Sequence, residues 1–183
     1  MFYSACKEKK DEELRYSKTM KACNSFYKGL YFISTTTIGY KVLKNEPYLT
    51  PYLLGQGDMS LFSTSYPFHV WPEYFQYYYL GTMGYHLHQT VAHLLQPHRN
   101  DFIEMFLHHV VTLLLYGFSY LCMFTAAGSS IMFLHDIADI FTSFVRCFTE
   151  TTLVSILLVN AVGMTFSWAY TRLFVFPMMI YHS

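Results

Sequence analysis

Between Asn100 and Phe144 two apolar stretches of membrane length carry side chains that hydrocarbon tolerates poorly. These are His108 and His109 on the first, and His135, Asp136 and Asp139 on the second. An ionisable group inside a bilayer is expensive and normally faces a packed interior or a wet cavity, so each is a functional-site candidate by default. An imidazole can attack an activated acyl group or take a proton from an incoming nucleophile, and a carboxylate on its second nitrogen fixes the tautomer. The set points to acid–base or nucleophilic chemistry on a substrate that lives among lipid tails.

Helical periodicity groups these residues. With about 100° per residue and His108 at zero, Thr112 falls near 40°, Glu104 near −40°, Ser119 near 20°, Tyr116 near 80° and His109 near 100°. The polar sector centres on Thr112, with Leu107, Val110, Leu114 and Phe118 filling the rest. On the next helix, with His135 at zero, Arg146 lies near 20°, Asp139 near 40°, Ser143 near 80° and Asp136 near 100°. Phe133, Leu134, Ile137, Ile140, Phe141, Phe144 and Val145 form the opposite, lipid-like face. Two antiparallel neighbours of this kind are expected to turn both stripes onto one internal cavity.

Two other uses of the residues compete. A purely structural role would need every buried charge paired, since an unpaired one costs several kcal/mol. A metal site would need histidines in closer groupings, but position 105 is Met and no upstream partner suits the His108–His109 pair. His86, His88 and His93 lie on the preceding span; His86 and His93 share a face at i, i+7 while His88 points elsewhere. They read as packing or cavity-lining residues, and no metal is expected.

The elements that must position this chemistry follow from composition. The chain has 183 residues, 53% hydrophobic and 13% charged, with formal net charge zero. Soluble domains carry about 25% charged residues, so the class is a membrane protein. No basic tract or nucleic-acid motif is present, and no nucleic-acid partner is expected. Cys6, Cys23, Cys122 and Cys147 form no CxxC pair and read as unpaired thiols. Residues 1–6 lead straight into charges, without the apolar run of a secretory signal.

Residues 1–23 form a polar extramembrane segment, and 24–183 the transmembrane region. Spans are expected over about 24–43, 73–95, 102–125, 128–148 and 151–170, each near the roughly 20 residues a bilayer requires. The first is weak, with Lys28 and the run Thr35, Thr36, Thr37, whose hydroxyls can bond back to the helix. Pro47, Pro51, Pro67 and Pro72 mark 44–73 as a loop. The expected fold is an all-α, polytopic transmembrane helix bundle of about five spans around a polar internal cavity. Lys7, Lys9, Lys10, Arg15, Lys18, Lys21, Arg99 and Arg146 collect on one side, which the positive-inside rule assigns to the cytosol.

The run from Arg99 through Asn100, Asp101, Phe102, Met105, Phe106, Leu107, His108, His109 and Thr112, then Ser119, Tyr120, Gly128, Leu134, His135, Asp136 and Asp139, closely resembles the Lag1 motif of ceramide synthases within the TLC domain family. Thr171, Arg172, Leu173 and Pro177 extend the likeness, which covers roughly residues 24 to 183. The resemblance implies a sphingosine N-acyltransferase, a multi-pass protein of the endoplasmic reticulum membrane. Such an enzyme moves a fatty acyl group from acyl-CoA, a co-substrate rather than a bound cofactor, to the amine of a sphingoid base, giving ceramide or dihydroceramide. It implies membrane lipid as surroundings and leaves room for a homo- or hetero-dimer.

By that resemblance His108, His109, His135, Asp136 and Asp139 are catalytic. His108, nearer the centre of its sector, is expected to attack the thioester, with His109 as the alternative or a histidine acting only as base. Asp139 would orient it, His109 and His135 would pass protons, and Asp136 would hold the network or receive the ammonium of the base. Thr112 and Tyr116 would line the substrate site. Arg172 would contact a phosphate or carboxylate, and Arg99 the coenzyme A phosphates. The family bundle has further spans before residue 24 and after residue 177, so the chain is expected to be a C-terminally incomplete piece. A non-catalytic TLC-domain lipid sensor or carrier, and a metal-dependent lipid hydroxylase, are the alternatives.

Overall fold

Helix propensity carries the first long element straight through the point where hydropathy changes. In the computed structural model, which describes residues 2–6, 11–57, 70–95, 102–149 and 151–182, a short α1 (Phe2–Ala5) precedes α2 (Glu12–Leu43). The latter runs without a break across residues 23 and 24. Asp11 caps it, its Oδ1 accepting from the backbone N–H of Glu13 at 3.1 Å and of Leu14 at 3.2 Å. Glu12 and Glu13 in the first turn and Lys41 in the last complement the helix dipole. The hydroxyls bond back as the sequence suggests: Ser34 donates to Leu30 O at 2.9 Å and Thr37 to Ile33 O at 2.7 Å.

The remaining elements are α3 (Phe75–Leu94), α4 (Phe102–Leu121), α5 (Thr125–Thr149), α6 (Val154–Ala169), a π turn (Tyr170–Val175) and α7 (Phe176–His182), with a 3₁₀ turn at Pro51–Leu53. Among the described residues the regular structure is all helical, as expected, and β pairing is limited to an isolated bridge between Cys6 and Thr151. All four cysteines are free thiols. Among the described residues two helices, Phe102–Leu121 and Val154–Tyr181, are long and apolar enough to cross a membrane. The chain divides into two compact units, one of Met1–Thr37 with Phe133–Met178, the other of Ile38–Met132 with Met179–Ser183.

In the first unit α5 is flanked by two helices that approach it through glycines. A Cβ on Gly29 of α2 would stand 3.1 Å from the Phe144 ring, and one on Gly163 of α6 would stand 2.8 Å from the ring of Phe141. Phe26 meets Phe144 edge-on at 5.9 Å. The π turn has a chemical cause just beyond it. Pro177 has no N–H to return to the helix, and its ring crowds the carbonyl one turn back. The helix widens there, the Phe176 N–H reaching the carbonyl of Thr171.

In the second unit the segment after α2 is built, not loose. Thr50 Oγ1 accepts from Tyr52 N at 3.0 Å ahead of Pro51, while Tyr48, Leu49 and Thr50 are buried. Burial pushes the Tyr48 phenol above its usual range. A side chain on Gly55 would overlap the carbonyl of Leu49, so the turn requires glycine. An aromatic group then seats the start of α3: Trp71 lies 5.9 Å from Phe75 and 5.6 Å from Tyr120, and its Nε1 donates to Thr125 Oγ1 at 3.2 Å.

Two expectations need correction. α4 stops at Leu121, where Met123 turns the chain at φ 59°, so α5 begins at Thr125 rather than Gly128. The supposed lipid face of α5 is not exposed, since Phe133 and Leu134 retain 3% and 2% of their surface. Protein interior and lipid have the same polarity, so hydropathy does not tell them apart.

Candidate functional site

α3 and α4 mesh in steps of seven residues. Tyr79, His86 and His93 line one face of α3, and Phe102, His109 and Tyr116 one face of α4. Tyr79 Oη donates to Tyr116 O at 3.0 Å, and His86 packs edge-on against Tyr116 at 5.2 Å. His93 stacks on Phe102 at 4.6 Å and meets His109 at 5.6 Å. The shared face inferred for His86 and His93 is therefore the one turned to α4, while His88 is exposed.

On α4 the buried arc is rotated from the sequence estimate. Thr112 and Tyr116 are buried as expected, His109 is half-buried and His108 is exposed. The correction follows from packing: Met105, Phe106 and Leu113 are half-buried beside His109, whereas Glu104, Val111 and Leu115 on the far side of His108 are exposed. The inward direction lies nearer His109 than the polar sector alone suggested. The two imidazoles are 5.8 Å apart, centre to centre.

The acidic group belongs to the other unit. Asp136 is fully buried, and neither carboxyl oxygen has a hydrogen-bond partner among the described residues. Thr35 of α2 lies beside it, but the Thr35 hydroxyl is turned to the carbonyls of Tyr31 and Phe32, each at 3.2 Å. His135 and Asp139 are half-buried, and Ser143 is buried one turn on. Asp139 stands in the field of Arg146, Arg172 and Lys28.

Arg172 sits inside the π turn, half-buried, with its Nε enclosed and without a partner among the described residues. Arg146 is exposed at the end of α5. Arg99 lies outside the described residues. Among those residues no group of three or more His, Cys, Asp and Glu side chains is gathered as for a metal ion.

Sequence reasoning passed over Lys28 and Thr35, counting the one as a charge that weakens the first span and the other as a back-bonding hydroxyl. Their spacing of seven, which puts both on one face of α2 toward α5, was the available signal.

Residues 21–183 match the TLC domain family model, and the chain belongs to that family. It is 28% identical over 180 residues to Ceramide synthase LOH1 of Arabidopsis thaliana, covering 93% of this chain and 55% of that protein. It is 26% identical to Ceramide synthase hyl-1 of Caenorhabditis elegans over 91% of this chain and 44% of the relative. It is 29% identical to Sphingosine N-acyltransferase lac1 of Schizosaccharomyces pombe over 80% and 37%. The chain thus spans about half the length of the curated relatives it matches. No solved structure matches it. Family membership and two helices of membrane length make this a membrane protein.

Proposed function

We propose that this chain carries the reaction site of a sphingosine N-acyltransferase, a multi-pass protein of the endoplasmic reticulum membrane. An acyl-CoA and a sphingoid base would be its substrates and ceramide or dihydroceramide its product. Three relatives whose names denote this chemistry support the reading. The observation that carries it is Asp136. A fully buried carboxyl group without a hydrogen-bond partner weakens the fold by several kcal/mol if left charged. Such a group is retained where a substrate supplies what the fold omits, and the ammonium of a sphingoid base is suitable.

In the proposed cycle a neutral imidazole nitrogen of the α4 pair attacks the thioester carbon. The carbon–sulfur bond breaks, and coenzyme A leaves as a thiolate that takes a proton. The amine, once deprotonated, attacks the acyl-imidazole, so that an amide bond forms and the imidazole is regenerated. Starting from an ammonium substrate, one proton is released overall. We assign the attack to His109, the half-buried member, and proton transfer to His108 and His135. Asp136 would take the ammonium and Asp139 would balance charge. Thr112 and Tyr116 would bound the site, and Arg172 would meet a phosphate or carboxylate.

The test is acyl transfer from labelled acyl-CoA to dihydrosphingosine in membranes carrying the protein, beside His109→Ala, His108→Ala and Asp136→Asn. Turnover in the parent that disappears in His109→Ala is expected. Turnover unaffected in both histidine variants would overturn the mechanism. Lipid binding without turnover in the parent would favour the sensor or carrier reading.

A further inference from the structure

Lys28 carries an amine into the first unit that the mechanism above leaves unused. It lies beside Gly29 of α2, where a Cβ would stand 3.1 Å from the Phe144 ring. Arg146 follows Phe144 by two residues on α5, and Lys28 stands in its field. Two like charges therefore meet at one helix contact. A lysine stem can also snorkel through lipid to the interface. Here Tyr27 and Leu30 mark the exposed side of α2, whereas Lys28 is half-buried and turned to α5.

The surplus of charge is larger than this pair. Lys28, Arg146 and Arg172 all act on Asp139, three cations to one carboxylate. Asp136, also in the field of Asp139, is taken by the substrate ammonium in the acyltransferase reading. Arg172 adds an enclosed Nε without a partner among the described residues. Unbalanced cations in a low dielectric are costly unless an anion enters among them. The end of α5 that bears Arg146 is the one the positive-inside rule assigns to the cytosol, from which a water-soluble anion can arrive.

We propose that Lys28 and Arg146 grip the diphosphate of coenzyme A, with the pantetheine arm running inward past Asp139. The assignment rests on the acyltransferase reading and deepens it. A guanidinium fork takes two phosphate oxygens at once, and an ammonium supplies a compact point charge. A diphosphate diester carries one charge on each phosphate, which matches the excess left once Asp139 is counted. A phosphorylated lipid headgroup offers the same chemistry, and the test separates the two.

The experiment measures coenzyme A binding to the protein in phosphatidylcholine nanodiscs. It compares the parent with Lys28→Gln, Arg146→Gln, Lys28→Arg and, at the other end of α2, Lys41→Gln. Each of the first two loses a charge-assisted contact, so Kd for coenzyme A should rise about 10-fold or more. Lys28→Arg keeps the charge and should bind as the parent does, and Lys41→Gln should be unchanged. Pantetheine, which lacks the phosphates, should bind weakly and equally to every variant. In turnover assays KM for acyl-CoA should rise in parallel, while kcat and KM for the sphingoid base stay at parent values.

Coenzyme A affinity unchanged in both Lys28→Gln and Arg146→Gln would overturn the proposal. Equal losses for coenzyme A and pantetheine would also overturn it, leaving the cations a structural role. Nanodiscs doped with a phosphoinositide form the last arm. If the two glutamine variants lose bound phosphoinositide while coenzyme A affinity stays put, the cations serve a lipid headgroup and the coenzyme A assignment fails. A parent that binds coenzyme A through these cations yet transfers no acyl group would sink the acyltransferase reading and leave the phosphate site standing.

Discussion

Replacing Gly128 by alanine tests how α4 and α5 are joined. A Cβ at this position would overlap Ser119 Oγ and lie 2.6 Å from Tyr79 Oη and 2.9 Å from Ser119 Cβ. Neither neighbour is idle: Ser119 Oγ donates to Phe124 O at 2.6 Å, and Tyr79 Oη donates to Tyr116 O at 3.0 Å. Overpacking of this kind costs about 1–3 kcal/mol. Displacing the tyrosine removes a buried hydrogen bond and adds about 1–3 kcal/mol. Alanine returns about 1 kcal/mol of helix propensity. The net expectation is a loss of about 1–5 kcal/mol. It would be read from denaturant unfolding of purified protein in detergent micelles.

The decisive comparison is a double-mutant cycle. Ser119→Gly removes two of the three close contacts, so Ser119→Gly with Gly128→Ala should show a favourable coupling of about 1–3 kcal/mol, where independent sites would add. A Gly128→Ala protein as stable as the parent, or strict additivity in the cycle, would refute the packing argument.

Other outcomes follow from the same geometry. Tyr79→Phe should cost about 1–2 kcal/mol by leaving the Tyr116 carbonyl short of a donor, with a parallel fall in unfolding midpoint. Asp136→Asn should abolish acyl transfer while leaving the unfolding midpoint equal to or above that of the parent, because the carboxyl has no hydrogen-bond partner among the described residues to lose. Pro177→Ala should restore the missing N–H and contract the π turn, turning α7 by about 100° relative to α6 and Arg172 by roughly half of that. Acyl transfer should fall although the helix itself becomes more stable, which circular dichroism and activity measured together would show.

What could be read in advance was periodicity and chemistry; what could not was which apolar surface meets protein. Thr112 and Tyr116 fell on the buried side of α4 because their polarity marks a face shielded from lipid. His108 was placed too far inward because Met105, Phe106 and Leu113 look lipid-facing by composition yet pack beside His109. The burial of Phe133 and Leu134 was hidden for the same reason. Residues 12–23 have good helix formers and no breaker, so a change of polarity there is not a change of structure. The π turn has no signature in periodicity, and only Pro177 hints at it. Asp136 was legible as important, but its lack of a partner depends on where Thr35 turns its hydroxyl, which no spacing reveals.

The uninterrupted length of α2 has a mechanical outcome. At about 1.5 Å per residue its 32 residues make a rod near 48 Å, against about 30 Å of hydrocarbon. As a span in the proposed protein, it leaves some three turns standing in water, the stretch bearing Glu12, Glu13, Arg15, Lys18 and Lys21. No hinge separates that stub from Thr35, so a pull or tilt applied by anything gripping the wet end arrives undamped at the Asp136 carboxyl.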